Sequence, residues 1–234
     1  MRVIIKENYE EMSKEAALFL KERISNTVLG LSTGSTSLGT YKELTKMNLD
    51  FSFVKTFNLD EYVGLKHSDK NSFHYQMWHN FFNHINIREQ NVSILNGMSL
   101  DLKQECLLYE NKIKENGGID VQVLGIGTNG HLGFNEPGSA FDSITREIEL
   151  SFQTRKDNSR FFDNLEEVPK EALTIGLATI LQAKEHLLLA SGKHKAEIIK
   201  KTLKGEITEQ VPASILQNSS NVTVILDKEA ASLL

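Results

Sequence analysis

Within Val121-Gln-Val-Leu-Gly125-Ile-Gly127-Thr-Asn129-Gly130-His131-Leu-Gly-Phe-Asn135-Glu136-Pro137, an imidazole, two carboxamides and a carboxylate fall within eight residues. An imidazole beside a carboxylate can pass protons near neutral pH. The glycines let backbone amides approach a small substrate, so Gly125 and Gly127 are candidate substrate contacts and His131 and Glu136 candidate acid/base groups. The plainer reading is a tight turn with a satisfied histidine. Gly125-x-Gly127-x-x-Gly130 also spells a dinucleotide-binding fingerprint, which requires a helix to start inside the glycines. Here Gly130 is followed by His131, Gly133, Asn135 and Pro137 with no apolar repeat, so no nicotinamide or flavin is expected.

Three further clusters belong with this loop. Ser32-Thr33-Gly34-Ser35-Thr36-Ser37 follows an apolar stretch, Thr27 to Leu31, and precedes a helical stripe of Leu38, Tyr41 and Leu44. Small hydroxyl residues at a helix start offer free amides and hydroxyls to a phosphate. Gly30-x-Ser32-x-Gly34 also fits the nucleophile elbow of a hydrolase, and Ser32, Asp60 and His131 even follow that triad's order. Ser32 comes very early for such an enzyme, and Asp60 is more simply an independent base. Asp60-Glu61-Tyr62 ends the apolar run Phe53 to Leu59; alone, Asp60 would read as an ordinary turn or helix cap. Ser191-Gly192-Lys193-His194-Lys195 ends Leu187 to Ala190, and lysine in the first turn of a helix is unfavourable unless an anion lies nearby. An exposed lysine is the plainer alternative.

The elements that must position these clusters are legible in outline. Val3 to Ile5, Thr27 to Leu31, Phe53 to Leu59, Val92 to Leu95, Val121 to Ile126, Ile144 to Leu150, Leu187 to Ala190 and Val222 to Leu226 read as strands. Helices are expected after Asn8, which with Glu11 forms a capping box, over Ser72 to Ile85, and along Leu102, Cys106, Tyr109 and Ile113 as far as Gly117-Gly118. Others should follow Lys195, start at Pro212, and start after Asp227 as a short cap-led turn. Strands alternating with helices predict an α/β fold: one domain over residues 1–234, a Rossmann-like open, mostly parallel sheet with helices on both faces. Ligands of such sheets bind beyond the strands' carboxyl ends, where Asp60, the Ser32 loop and the His131 loop would all arrive. Between Ser151 and Glu167 the periodicity fails, and Arg155, Lys156, Arg160, Phe161 and Phe162 crowd a polar segment. It reads as a lid over about 151–172 that could bring Arg160 to a phosphate, or as a solvated excursion.

Composition sets the remaining bounds. A net charge of −5 with no basic stripe argues against nucleic acid. There is no long apolar run, and the amino terminus has too few apolar residues for a signal peptide, so a soluble cytoplasmic protein is expected. The single cysteine, Cys106, reads as core packing. His67, His74, His79 and His84 fall on different helical faces, so no metal is expected.

Leu31-Ser-Thr-Gly34-Ser-Thr, Phe57-Asn-Leu-Asp60-Glu-Tyr-Val-Gly64, Gly130-His131-Leu-Gly-Phe-Asn135-Glu136-Pro137, Asn158-Ser159-Arg160-Phe161-Phe162 and Ser191-Gly192-Lys-His-Lys195-Ala196 together resemble the glucosamine-6-phosphate deaminase (isomerase) family over essentially the full chain. The related 6-phosphogluconolactonases share the layout and a Gly-His loop but not the second and third blocks. The resemblance implies conversion of glucosamine 6-phosphate and water to fructose 6-phosphate and ammonia, without cofactor or metal. By family position Asp60 would move the proton between C2 and C1, His131 would open the ring, and Glu136 would orient and charge-match His131. Thr33, Gly34, Ser35 and Thr36 with Arg160 and Lys195 would hold the phosphate.

Two departures stand out. Longer members carry an aspartate where this chain has Asn129, which can hydrogen-bond but brings no charge; Asn129 is therefore a site residue but not an acid. The chain also resembles the short type that lacks the carboxyl-terminal extension of the allosteric members, and Ile148 stands where those members use a basic residue for their N-acetylated activator. A monomer or small homo-oligomer acting on a small amino-sugar phosphate, without allosteric activation, is expected. The rivals are a deaminase for another epimer, such as galactosamine 6-phosphate, and a non-catalytic sugar-phosphate sensor.

Overall fold

The computed structural model describes residues 1–234. The first half of the chain runs β1 (Arg2–Lys6), α1 (Tyr9–Lys21), β2 (Val28–Leu31), α2 (Ser35–Thr45), β3 (Lys55–Asn58), β4 (Asp60–Tyr62), α3 (Phe73–Asn80), β5 (Val92–Ser93) and α4 (Leu102–Glu115). The second half runs β6 (Val121–Gly125), β7 (Arg146–Glu149), α5 (Phe152–Asn158), β8 (Glu171–Thr174), α6 (Leu177–Leu181), β9 (Glu185–Ala190), α7 (Ala196–Lys204) and β10 (Val222–Asp227). Seven strands form one sheet in the order β1-β10-β9-β6-β2-β3-β5, every pair parallel. The expected α/β architecture with a parallel sheet is therefore present.

Strands buried on both faces alternate their side chains between two cores. In β9, Leu187 and Leu189 meet α1 and α2 through Met12, Ala16, Tyr41 and Leu44. Leu188 and Ala190 face the opposite core with Tyr109 and Ile113 of α4 and Ile199 of α7. Burying these apolar faces is the main force holding the helices to the sheet. Asn8 caps α1 by accepting the Glu11 amide at 3.0 Å. The reciprocal half of the expected capping box is absent, because the Glu11 carboxylate lies 3.5 Å from Lys14 instead.

The chain leaves β2 for β3 on one side and reaches β6 on the other, so the switch point of the sheet lies between the carboxyl ends of β2 and β6. The Ser32–Thr36 loop and the Gly127–His131 loop diverge there.

A second sheet was not foreseen. Strands β4, β8 and β7 form a three-stranded antiparallel sheet with Asp60 opposite Thr174 and Thr174 opposite Arg146. Asp60 therefore does not end β3; it begins the smaller sheet. Leu59 is the junction, its amide donating to Leu31 O at 3.0 Å and its carbonyl accepting from Ile175 N at 2.7 Å. Three-residue strands rich in polar side chains carry no periodic signal, which is why the run from Phe53 reads as one element.

Other boundaries moved for local reasons. The expected helix Ser72–Ile85 is α3, capped by the Ser72 hydroxyl accepting from Tyr75 N, then broken at Phe81 and continued only as a 3-10 turn. Pro212–Asn218 is also a 3-10 helix. After Asp227 there are turns rather than a helix; its carboxylate accepts from Ala230 N but also from Ser191 and Gly192. The segment expected to be irregular contains α5, capped by Ser151, with Thr154 as its one buried residue. A short helix that is polar nearly all round shows no stripe. No helix is long and apolar enough to cross a membrane.

Candidate active site

A cavity of about 900 Å³ opens at the switch point. Thr33, Gly34, Ser35, Thr36, Asp60, Gly125, Gly127, His131, Arg160 and Lys195 all line it. Asn129 and Glu136 do not; they stand behind it and act on the groups that do.

Helix α2 starts after Gly34, whose φ of 94° places it in the left-handed region that glycine tolerates. The first turn has no acidic residue and no side-chain cap, so the amides of Ser35 and Thr36 lie uncapped at the positive end of the helix. The Ser37 hydroxyl and the Tyr41 phenol brace this loop from below, both donating to Ser32 O. Gly192 repeats the device after β9, with φ of 91° leading into the turn of Lys193–Lys195 and then α7. Asp227 fixes that loop through Ser191 Oγ and the Gly192 amide. The Lys195 ammonium donates to Ile126 O at 2.8 Å. Its pKa is lowered by burial first and by Arg160 second, against a smaller opposing effect of Asp157. Lys195 and Arg160 are thus close enough to act on each other and line the same cavity as the start of α2, an arrangement suited to a phosphate dianion.

Asp60 is 6% exposed and no protein donor reaches its carboxylate. Burial, and then the charge of Glu61, push its pKa up to about 8. Glu61 points to the other face of β4 and accepts the amides of Tyr62, Phe73 and His74, holding the start of α3 against the smaller sheet. Room beside Asp60 is made by Gly133: with φ of 58°, its added Cβ would stand 3.1 Å from Asp60 Oδ2.

His131 is held from its own loop. Asn129 Oδ1 lies 2.7 Å from Nδ1 and also accepts the His131 amide at 3.2 Å. A backbone amide can only donate, so the carboxamide oxygen faces the ring and Nδ1 carries the proton. Nε2 is left with a lone pair and no protein partner. Burial, then Lys195, lower the His131 pKa to about 4, with Glu136 and Asp157 pulling in the opposite direction. That leaves the imidazole neutral at neutral pH, with Nε2 able to accept a proton. Gly127 is its seat, since a Cβ there would fall 2.0 Å from His131 Cε1.

Glu136 differs from expectation. It makes no hydrogen bond to His131 and reaches it only through its charge; Asn129 sets the ring's orientation. The Glu136 carboxylate instead accepts from Ser151 Oγ at 3.0 Å and from Thr154 Oγ1, tethering α5. Asn135 ties the same loop to the smaller sheet, donating to Leu132 O and Ile175 O and accepting from Arg146 at 2.8 Å.

The rival motifs fail on geometry. No helix begins among Gly125, Gly127 and Gly130; Gly130 N donates to Gly127 O in a tight turn. Ser32 is not at positive φ and its hydroxyl has no partner, so neither elbow nor triad is formed. His67 lies ahead of α3 with its ring stacked on His74 at 4.0 Å. Cys106 is buried in the core, as read. Asn71, ahead of α3, and Gln76, on it, also line the cavity without a signal in the sequence, because a lone polar residue carries no mark of which cavity it meets; Phe73, which reads as core-facing, lines it too. Asn158 and Asp157 line it too; Asn158 lay within a motif whose arginine alone drew notice.

Residues 3–225 match the family model described as glucosamine-6-phosphate isomerases/6-phosphogluconolactonase. The chain is 55% identical to the glucosamine-6-phosphate deaminase of Thermoanaerobacter sp. (strain X514), covering all of this chain and 95% of that one. It is 53% identical to the glucosamine-6-phosphate deaminase of Shouchella clausii, covering all of this chain and 97% of that one. Among solved structures, a monomeric glucosamine-6-phosphate deaminase superposes with a TM-score of 0.97 at 47% identity over the whole of both chains. The 6-phosphogluconolactonase of Trypanosoma cruzi superposes at 0.81 with 22% identity, covering 100% of this chain and 96% of that one, a likeness of fold alone.

Proposed function

The chain belongs to the glucosamine-6-phosphate isomerase/6-phosphogluconolactonase family, and we propose that within it the protein is a glucosamine-6-phosphate deaminase, converting glucosamine 6-phosphate and water to fructose 6-phosphate and ammonia. The observation that carries the reading is that an acid with no protein donor, Asp60, and a neutral imidazole, His131, open into one cavity with the uncapped start of α2. Full-length relatives at 50% identity and above carry the same name.

Phosphate on the amides of Ser35 and Thr36, with Lys195 and Arg160, would fix one end of the sugar and leave the other to the acid/base groups. His131 Nε2 takes the anomeric hydroxyl proton and returns it to the ring oxygen as the C1–O5 bond breaks, giving the open aldehyde. Asp60 then removes the C2 proton while the C2 ammonium gives up a proton to O1, and an enolamine forms across C1 and C2. Return of that proton to C1 leaves an imine at C2, and water adds to it and expels ammonia. Asp60 must be ionised for this step, and a substrate ammonium at C2 favours the ionised form. The cavity's polar walls and two cations suit a sugar phosphate, and every step is proton transfer or hydrolysis.

Residues 151–170 are read as a lid, shorter than the expected span because Glu171 and Ala172 belong to β8: Arg160 is exposed, and α5 hangs from Glu136 by two hydroxyl contacts. The likeness to a monomeric enzyme supports a monomer, and a single buried cysteine supports a reducing cytoplasm. Ile148, in a separate cavity with Lys103 and Arg146, supports the absence of activation by N-acetylglucosamine 6-phosphate. A sigmoidal rate curve made hyperbolic by that compound would overturn this part.

The test is release of ammonia and fructose 6-phosphate from glucosamine 6-phosphate by wild type and Asp60→Asn, with galactosamine 6-phosphate as second substrate. Loss of about 10³-fold in the variant is expected for removal of a general base. Turnover of the galacto epimer alone would change the substrate, and binding without turnover of either would make the chain a sensor.

A further inference from the structure

Tyr62 stands two residues after Asp60 on β4, so both side chains project from the same face of the smaller sheet. It is 2% exposed and lies at the centre of an aromatic group, with ring centroids 4.9 Å from Phe73, 5.4 Å from Phe134 and 5.9 Å from Phe162. Its hydroxyl accepts a hydrogen bond from Asn158 Nδ2 at 2.9 Å. All of these line the cavity with Tyr62, but Phe73 belongs to α3 and Phe134 to the His131 loop, whereas Asn158 and Phe162 belong to the segment that joins β7 to β8. That segment therefore touches Tyr62 twice, once by a polar bond and once by an edge-on ring.

The two contacts bracket Arg160. Arg160 makes no ion pair; its one described contact is with the Phe161 ring, 4.8 Å from the guanidinium carbon, and Phe161 is itself 51% exposed. A long exposed side chain with no partner of its own takes its position from the backbone on either side of it. On one side that backbone is anchored through Asn158 and on the other through Phe162, and both anchors end on the same phenol.

We propose that Tyr62 is a positioning residue for Arg160: it is the post on which the segment between β7 and β8 docks, and through that docking it places the guanidinium where the substrate phosphate binds. The inference rests on the deaminase reading for its substrate, but the docking itself is a property of the chain alone. Tyr62→Phe keeps the ring and removes the bond to Asn158. Loss of one neutral hydrogen bond corresponds to about a five-fold effect. The expected result is a KM for glucosamine 6-phosphate raised about five-fold, with kcat within about two-fold of wild type. Asn158→Ala should do the same, and combining it with Tyr62→Phe should add nothing.

The deciding measurement is the double variant with Arg160→Ala. If Tyr62 acts by placing Arg160, Tyr62→Phe/Arg160→Ala has the KM of Arg160→Ala alone. Multiplying penalties, or a fall in kcat at constant KM, would overturn the proposal. A second readout needs no turnover: trypsin cleavage after Arg155, Lys156 and Arg160, with and without inorganic phosphate. Phosphate should slow cleavage in wild type and lose most of that protection in Tyr62→Phe. Equal protection in both proteins would overturn the docking role even if glucosamine 6-phosphate were not the substrate. A wild type that is inactive on that sugar yet shows the protection difference would sink the deaminase reading and leave the docking standing.

Discussion

Asn129 Oδ1 accepts two hydrogens from a single residue, the amide and the Nδ1–H of His131, so a loop of three residues fixes both the tautomer and the orientation of the imidazole. A neutral amide does this without stabilising a charge on the ring. Asn129→Asp would place a carboxylate at the same 2.7 Å. The His131 pKa, held down to about 4 by burial and Lys195, should rise by at least one unit. An NMR titration of the ring Cε1–H would read the change; an unmoved midpoint would mean that Asn129 does not control the proton.

Asp60 carries a cost in stability with a definite pH dependence. Its folded pKa is about 8 against about 4 for an exposed aspartate, so between these values the native state holds a proton that the unfolded chain releases. The penalty is absent below about pH 4, grows as pH rises, and is complete above about pH 8. Asp60→Asn removes it. The inactive variant should melt at least about 3 °C above wild type at pH 8 and converge with it towards pH 4. Equal melting temperatures at pH 8 would refute this.

Glu61 supplies the second push on Asp60. Glu61→Gln keeps an oxygen for the Tyr62 and Phe73 amides and removes the charge. The acid limb of kcat/KM, which reports the free enzyme, should move to lower pH by about one unit. An unchanged limb would assign the whole shift to burial.

Gly127 is required by space. An added Cβ would meet the His131 ring at 2.0 Å, and the ring is the part able to move. Gly127→Ala should lower kcat about 100-fold, the scale for misplacing a catalytic group by roughly 1 Å, while far-UV circular dichroism stays native. Retained kcat would show that the ring's position is not critical.

Much of this was legible in the sequence because it is local or periodic. The parallel strands announce themselves as apolar runs, Ser35 and Thr36 as hydroxyls between a strand and a helix, and His131 with Asn129 as neighbours in one turn. The unreadable parts depend on pairing across distance. Asp60 reads as the end of β3 because Leu59 interrupts nothing in the pattern, although the chain changes sheets there. Glu136 reads as the partner of His131 because it is five residues away, whereas its hydrogen bonds go to Ser151 and Thr154 on a helix too polar and too short to show a stripe. Tyr62 drew notice only as part of a motif, since nothing in Asp-Glu-Tyr says that a ring two positions from the base would meet Asn158.

The passage of the chain through Leu59 divides the candidate site between two sheets. The imidazole loop, the start of α2 and Lys195 are carried by the large sheet, while Asp60, Tyr62 and the segment bearing Arg160 are carried by the small one. The spacing between Asp60 and His131 therefore depends on how the two sheets sit against each other, fixed at Leu59 by its bonds to Leu31 O and Ile175 N and nearby by the Phe134 amide donating to Thr174 Oγ1. A substitution at Leu59 or Thr174 would thus move Asp60 relative to His131 without altering either side chain.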